Sequence, residues 1–152
     1  MTLRYEWHTD PLPPALAAEL AQLIAQIFGD QSPEQVAAEL DYQQARTPLW
    51  VGLAFDGPVL VGYKIGYERK PGHFYSWLGG VLPAYRGQGI ASALMTEQHN
   101  WCRQQGYHTL RTQTYNRWRS MLILNLRHGF DIVGTVQGTR GLTLVLEKKL
   151  TN

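Results

Sequence analysis

From Pro83 to Ser92 the chain reads Pro-Ala-Tyr-Arg-Gly-Gln-Gly-Ile-Ala-Ser. Residues of these types at this spacing could hold an anion. Gly87 and Gly89 can take positive φ, which turns successive N–H groups to one side as a nest. A helix starting at Ile90 would add unpaired N–H donors and the positive end of its dipole. Together Gly87 to Ser92 make a seat for phosphate or pyrophosphate. Two other phosphate-binding patterns do not fit. The dinucleotide fingerprint needs a third glycine where Ser92 stands, and a P-loop needs Gly-Lys-Ser/Thr, which the sequence lacks. By themselves the two glycines also suit a plain tight connection.

The remaining reactive residues point to less. Histidines 8, 73, 99, 108 and 128 have no metal-ligand spacing and Cys102 is the sole cysteine, so no metal is expected. Cys102 falls on the apolar face of a helix and reads as a buried, inert thiol. One cysteine excludes an internal disulfide and suits a reducing compartment. The N-terminal Met-Thr-Leu-Arg-Tyr-Glu-Trp-His has no apolar signal core, and no apolar run approaches the ~20 residues of a membrane span. A soluble, cytoplasmic protein without membrane contact is expected.

The formal net charge of +2 does not call for nucleic acid. Its distribution is uneven. Up to Ser76 there are five Lys/Arg against nine Asp/Glu, and from Trp77 onward nine against three. The basic part carries the anion seat. The 152 residues, 44% apolar and 17% charged, fit one globular domain over 1–152.

The seat needs a strand to lead into it and a helix to leave it. His73 to Leu82 supplies the strand, ended by Pro83, which cannot donate to a ladder. Ile90 to Gln105 supplies the helix, with Ile90, Ala91, Leu94, Met95, Trp101 and Cys102 along one stripe and Gly106 as a stop. Ahead of them, Leu3 to Thr9 alternates as a strand and Ala15 to Phe28 is an amphipathic helix closed by Gly29. Ser32-Pro33-Glu34-Gln35 reads as a capping box opening a helix to about Gln44. Leu49 to Phe55 and Val59 to Glu68 are strands joined at Asp56-Gly57, and Pro71-Gly72 is the next turn. After the central helix come a strand at Thr109 to Thr114, a helix at Arg117 to His128, and strands at Asp131 to Gln137 and Leu142 to Leu146. The order β-α-α-β-β-β-α-β-α-β-β predicts an α/β (α+β) fold: a mixed, mostly antiparallel sheet flanked by helices.

The string Val81-x-Pro83-x-Tyr85-Arg86-Gly87-x-Gly89-Ile90-Ala91 resembles the acyl-CoA signature of the GCN5-related N-acetyltransferases. That family's turn reads Q/R-x-x-G-x-G/A, matched here by Arg86, Gly89 and Ala91. Asn116, Met121, Asn125 and Gly129-Phe130 resemble its later motif, a helix ending in Gly-Phe before a C-terminal hairpin. The resemblance runs from about Leu3 to Leu150. It implies an N-acetyltransferase moving acetyl from acetyl-CoA, as co-substrate, to a primary amine of a small molecule or peptide, by direct attack in a ternary complex. It implies cofactor contacts at Val81, Arg86, Gly87, Gln88, Gly89, Ile90, Ala91, Ser92, Asn116 and Asn125. It also implies that the pantetheine arm pairs with the Val81 strand as an added strand.

Two landmarks of the family are absent. Where many members have a Tyr as acid for the departing thiolate, this chain has Asn125, which cannot protonate it. Where many have a Glu on the strand before the turn, it has Tyr75. His73, Tyr75 and Trp77 share a strand face by alternation. His73 and Glu68 are the candidate bases, and Tyr115 a substitute acid. Tyr63, Tyr67, Tyr75 and Trp77 could line an aromatic substrate wall or belong to the core. Arg117-Trp118-Arg119 could meet the CoA phosphates or an acidic substrate, or be an exposed helix start. The departures leave a non-catalytic acyl-CoA sensor as the alternative, and a binder of another nucleotide as a third reading. The C-terminal hairpin leaves an edge that a second copy could cover as a homodimer.

Overall fold

The structure is a computed structural model that describes residues 1–150. The elements are β1 (Leu3–His8), α1 (Pro14–Phe28), α2 (Pro33–Arg46), β2 (Leu49–Asp56), β3 (Val59–Lys70), β4 (His73–Val81), α3 (Ile90–Gln104), β5 (Thr109–Tyr115), α4 (Arg119–Arg127), β6 (Asp131–Gly138) and β7 (Gly141–Lys149). This is the order expected from periodicity and turn chemistry. A single 3₁₀ turn at Pro83–Tyr85 was not expected, and α4 begins two residues later than the pattern suggested.

The strands form one mixed sheet in the order β1-β2-β3-β4-β5-β7-β6. The β4–β5 pair is parallel, while β1–β2, β2–β3, β5–β7 and β6–β7 are antiparallel. The molecule divides into two compact units that interleave along the chain. The first holds Met1–Tyr67 and Leu78–Gln98, and the second holds Glu68–Trp77 and the chain from His99 onward.

In the first unit the local signals act as their chemistry demands. Gly29 closes α1 in the left-handed conformation, its N–H on the Ala25 carbonyl at 2.8 Å. The α2 box is complete: the Gln35 N–H donates to Ser32 Oγ at 3.1 Å, and the Ser32 N–H to Gln35 Oε1 at 2.8 Å. β2 is buried from Leu49 to Phe55, so it reads as a continuous apolar run and not an alternation. Ala54, Val61, Val81, Ile90 and Leu94 form a core cluster that ties β2, β3 and the end of β4 to the first turns of α3. A Cβ at Gly62 would come within 3.0 Å of Ile90 Cγ2, so glycine there lets the helix lie close on β3. Burying Ile90 is worth about 1.5–3 kcal/mol, and it anchors the helix at the end that follows Gly87 and Gly89.

In the second unit Phe74 meets Trp101 at 5.6 Å and Tyr107 at 5.2 Å between ring centroids, in tilted and edge geometries. Leu110 of β5 and Leu146 of β7 are fully buried. β6 pairs with β7 alone and is exposed along most of its length.

Candidate functional site

β4 ends at Val81 and hands the chain to the 3₁₀ turn. The Leu82 N–H donates to the Val61 carbonyl at 2.9 Å, fixing the exit, and the Tyr85 N–H donates to the Leu82 carbonyl at 2.9 Å. Arg86 folds back, its Nε donating to the Val81 carbonyl at 3.2 Å. Gly87 and Gly89 have φ of +78° and +82°, the left-handed region open to glycine. The Ala93 N–H donates to the Gly89 carbonyl at 2.9 Å. The N–H groups of Ile90 and Ala91 precede that bond and have no helical carbonyl one turn back.

A Cβ at Gly87 or Gly89 would meet nothing within 4 Å. The glycines are therefore required by the backbone and not by crowding, and Arg86 to Gly89 are exposed. Left-handed glycines, a helix start and an adjacent guanidinium make a seat whose donors and positive potential fit a pyrophosphate.

Side chains far away in sequence brace this turn. Tyr85 Oη donates to Asp56 Oδ2 at 2.7 Å across 29 residues, and Asp56 Oδ1 accepts from the Thr2 N–H at 3.1 Å. The Tyr85 bond, then the Thr2 N–H, hold the Asp56 carboxyl below its ordinary pKa, and the same bond raises the Tyr85 phenol. No pattern within a few residues could have signalled this brace.

The parallel ladder pairs His73–Thr109, Phe74–Leu110, Tyr75–Arg111 and Ser76–Thr112. Thr112 Oγ1 reinforces its end by donating to the Ser76 carbonyl at 2.8 Å. β4 itself continues to Val81. Burial falls on Phe74 and Ser76, both even-numbered, and then on Val81. Trp77 to Gly80 between them are all half-buried, and two of these residues are glycines, Gly79 and Gly80. A Cβ at Gly80 would lie 3.2 Å from Ile27 and 3.3 Å from Tyr63, and one at Gly79 would lie 3.6 Å from Lys64 Nζ. Lys64 is a residue that the sequence pattern did not single out.

Most other candidate residues lie in the second unit. His73 is half-buried, and its ring meets His108 edge-on at 4.7 Å between centroids. His73 Nδ1 is buried without a hydrogen-bond partner. Burial first, then Lys70, His108 and Arg69, lower its imidazole below the ordinary His value. Glu68 is exposed and accepts from Tyr107 Oη at 3.0 Å. The structure thus seats Glu68 and His73 against the successive residues Tyr107 and His108. Tyr75 is half-buried, with Arg111 as its register partner; Arg111 in turn holds Glu147 at 2.6 Å.

Asn116 donates its backbone N–H to the Leu142 carbonyl at 3.0 Å. Asn125 is buried, its Nδ2 donating to the Met121 carbonyl at 3.0 Å. Tyr115 and Trp118 meet edge-on, and the Arg117 guanidinium lies 4.3 Å over the Tyr115 ring while also donating to the Arg140 carbonyl. In the interior, burial pushes the Cys102 thiol up to about 12, as an inert core thiol requires.

A family model described as the Acetyltransferase (GNAT) family matches residues 5–130. No curated protein matches the sequence. Solved structures resemble the whole chain. The ribosomal-protein-S18-alanine N-acetyltransferase from Escherichia coli is 12% identical, with a TM-score of 0.81, over 98% of this chain and 96% of that one. An aminoglycoside 6'-N-acetyltransferase complexed with coenzyme A is 14% identical, with a TM-score of 0.80, over 100% and 98%. A chain of the NatC complex bound to Gag peptide and CoA is 18% identical, with a TM-score of 0.83, over 99% and 100%. At such identities the likeness is one of fold. No helix is long and apolar enough to cross a membrane among the described residues.

Proposed function

The chain belongs to the acetyltransferase (GNAT) family, and from that premise we propose that it moves an acetyl group from acetyl-CoA to a primary amine of a small molecule or peptide. Transfer is by direct attack of the amine on the thioester, with both substrates bound together. The observation that carries the reading is the open turn before α3. Gly87 and Gly89 are left-handed with nothing within 4 Å of a Cβ position, next to Arg86 and a helix start. The CoA pyrophosphate is assigned to the N–H groups from Gly87 to Ser92, with Gln88 in the same turn. Its pantetheine arm is assigned to the part of β4 that leads up to Val81. The short ladder supports this assignment, since it pairs β4 with β5 only from His73 to Ser76. Asn116 and Asn125 are assigned to the arm by the family's later motif.

Amine attack requires a proton acceptor. His73, its pKa lowered, is neutral at pH 7 and able to accept a proton, and Glu68 is the second candidate. Tyr75 is two residues from His73 on the same strand and is the further candidate. The aminoglycoside and peptide-bound neighbours suggest the two amine classes to try first.

The test is a thermal-shift titration with acetyl-CoA and CoA against ATP and NAD, followed by free-thiol release across amino acids, polyamines, aminoglycosides and peptide N-termini. A ligand selective for the folded state raises Tm, and CoA species alone are expected to do so. Equal shifts with ATP or NAD, or none with CoA, would refute the reading.

A further inference from the structure

We propose that Lys64 is the proton donor to the departing CoA thiolate, a role the proposed acetyl-CoA site requires and Asn125 cannot fill. Lys64 lies on β3, with Gly52 as its register partner on β2 and Gly79 beside it on β4. Both neighbouring strands carry a glycine beside it. At Gly52 the space is taken by the Trp50 ring, 2.6 Å from where a Cβ would be. At Gly79 the Lys64 side chain runs alongside, with Cγ at 3.7 Å and Nζ at 3.6 Å from the Cβ position, ordinary contact distances. The lysine side chain therefore lies beside β4 at a position that has no side chain of its own, two residues before Val81.

Nothing neutralises the ammonium there. Among the described residues no carboxylate lies within ion-pair distance of Lys64. Burial is the one cause that acts on its pKa, lowering it from 10.5 to about 8; no charged group of β2, β4 or α3 contributes. A half-buried lysine in this state is mostly protonated at pH 7 yet gives up its proton readily.

The step balances. The amine nitrogen attacks the acetyl carbon and the C–N bond forms. The C–S bond breaks with its electron pair on sulfur. The Lys64 ammonium proton passes to that sulfur, leaving CoA thiol and a neutral lysine amine. The proton shed by the attacking nitrogen passes to the proposed base and from it to solvent, and a solvent proton restores the ammonium.

The inference rests on the acetyl-CoA reading, so its test separates the two. Bound CoA is titrated by its ultraviolet thiolate absorbance in the wild type, Lys64→Met and Lys64→Arg, with calorimetric CoA affinity and melting measured alongside. An ammonium beside the sulfur lowers the bound thiol pKa by about one to three units relative to Lys64→Met. With any accepted amine, Lys64→Met loses about 100-fold in kcat or more, and the fall in wild-type rate above pH 8 disappears. Lys64→Arg keeps the low thiol pKa without recovering kcat, because guanidinium is too weak an acid. Equal thiol titrations in all three proteins, with CoA bound, overturn Lys64 alone. Failure of the wild type to bind CoA overturns the site and Lys64 with it.

Discussion

At the start of α3, two left-handed glycines turn the backbone and no protein atom occupies the space a side chain would take. At the start of α4 the cap position is held by Trp118, which makes no side-chain cap, and its N–H donates to the Tyr115 carbonyl at 3.0 Å. Within α4, the amide of Asn125 is buried and bonded to its own helix through Met121. The Asn125 backbone carbonyl also accepts the Phe130 N–H at 3.1 Å, closing the helix. One helix start is preceded by two left-handed, unfilled glycines, whereas the other helix spends its polar groups on its own ends. The difference teaches that an open turn is made here by backbone conformation and not by polar residues as such.

Substitution should break that contrast most sharply at Gly89. Gly89→Glu places negative charge and bulk in the seat and should abolish acetyl-CoA binding by calorimetry. Gly89→Ala, which meets no neighbour, should cost about 1–2 kcal/mol of stability for its left-handed φ while retaining affinity. Equal affinity in the wild type and Gly89→Glu would remove the anion seat.

A smaller effect is expected at the proposed bases. His73→Ala should lose about 100-fold in kcat and the acid limb of the pH–rate profile, with Glu68→Ala changed less. Unchanged profiles in both would assign the proton to solvent. At α4, Asn125→Ala should lower stability by about 1 kcal/mol, read as Cm in urea, with acetyl-CoA affinity reduced less than tenfold. A larger loss of affinity than of stability would show that this helix, too, keeps donors for its ligand.

The mildest prediction concerns the brace. The Asp56 pKa is depressed in the folded state, so its contribution is present above the ordinary value of 3.8 and is lost as pH falls below it. A Tm-versus-pH series should show a small acid-side decline that Asp56→Asn flattens. A decline of the same steepness in the mutant would mean that the Tyr85–Asp56–Thr2 bonds do not hold the turn.

Much of this was legible in the chain itself. The Ser32 capping box, the Asp56-Gly57 hairpin, Pro83 as a strand stop and the stripe from Ile90 to Cys102 placed the elements almost to the residue. They are legible because caps, turns and the periods of 2 and 3.6 depend on neighbours a few residues apart. The turn of the proposed anion seat was legible for the same reason, since φ at Gly87 and Gly89 and the start of a helix are local properties.

What only the tertiary structure decided involves partners far apart in sequence. Tyr85 meets Asp56, Glu68 meets Tyr107, His73 meets His108, and Lys64 lies over Gly79. Alternation alone would expose every second residue of β4, yet its burial falls on Phe74, Ser76 and Val81. The sequence thus determined the left-handed turn at Gly87 and Gly89 and the helix that starts behind it. The folded chain decided which charges stand beside β4, because long-range pairing, burial and the space a glycine leaves are set by residues that meet only after folding.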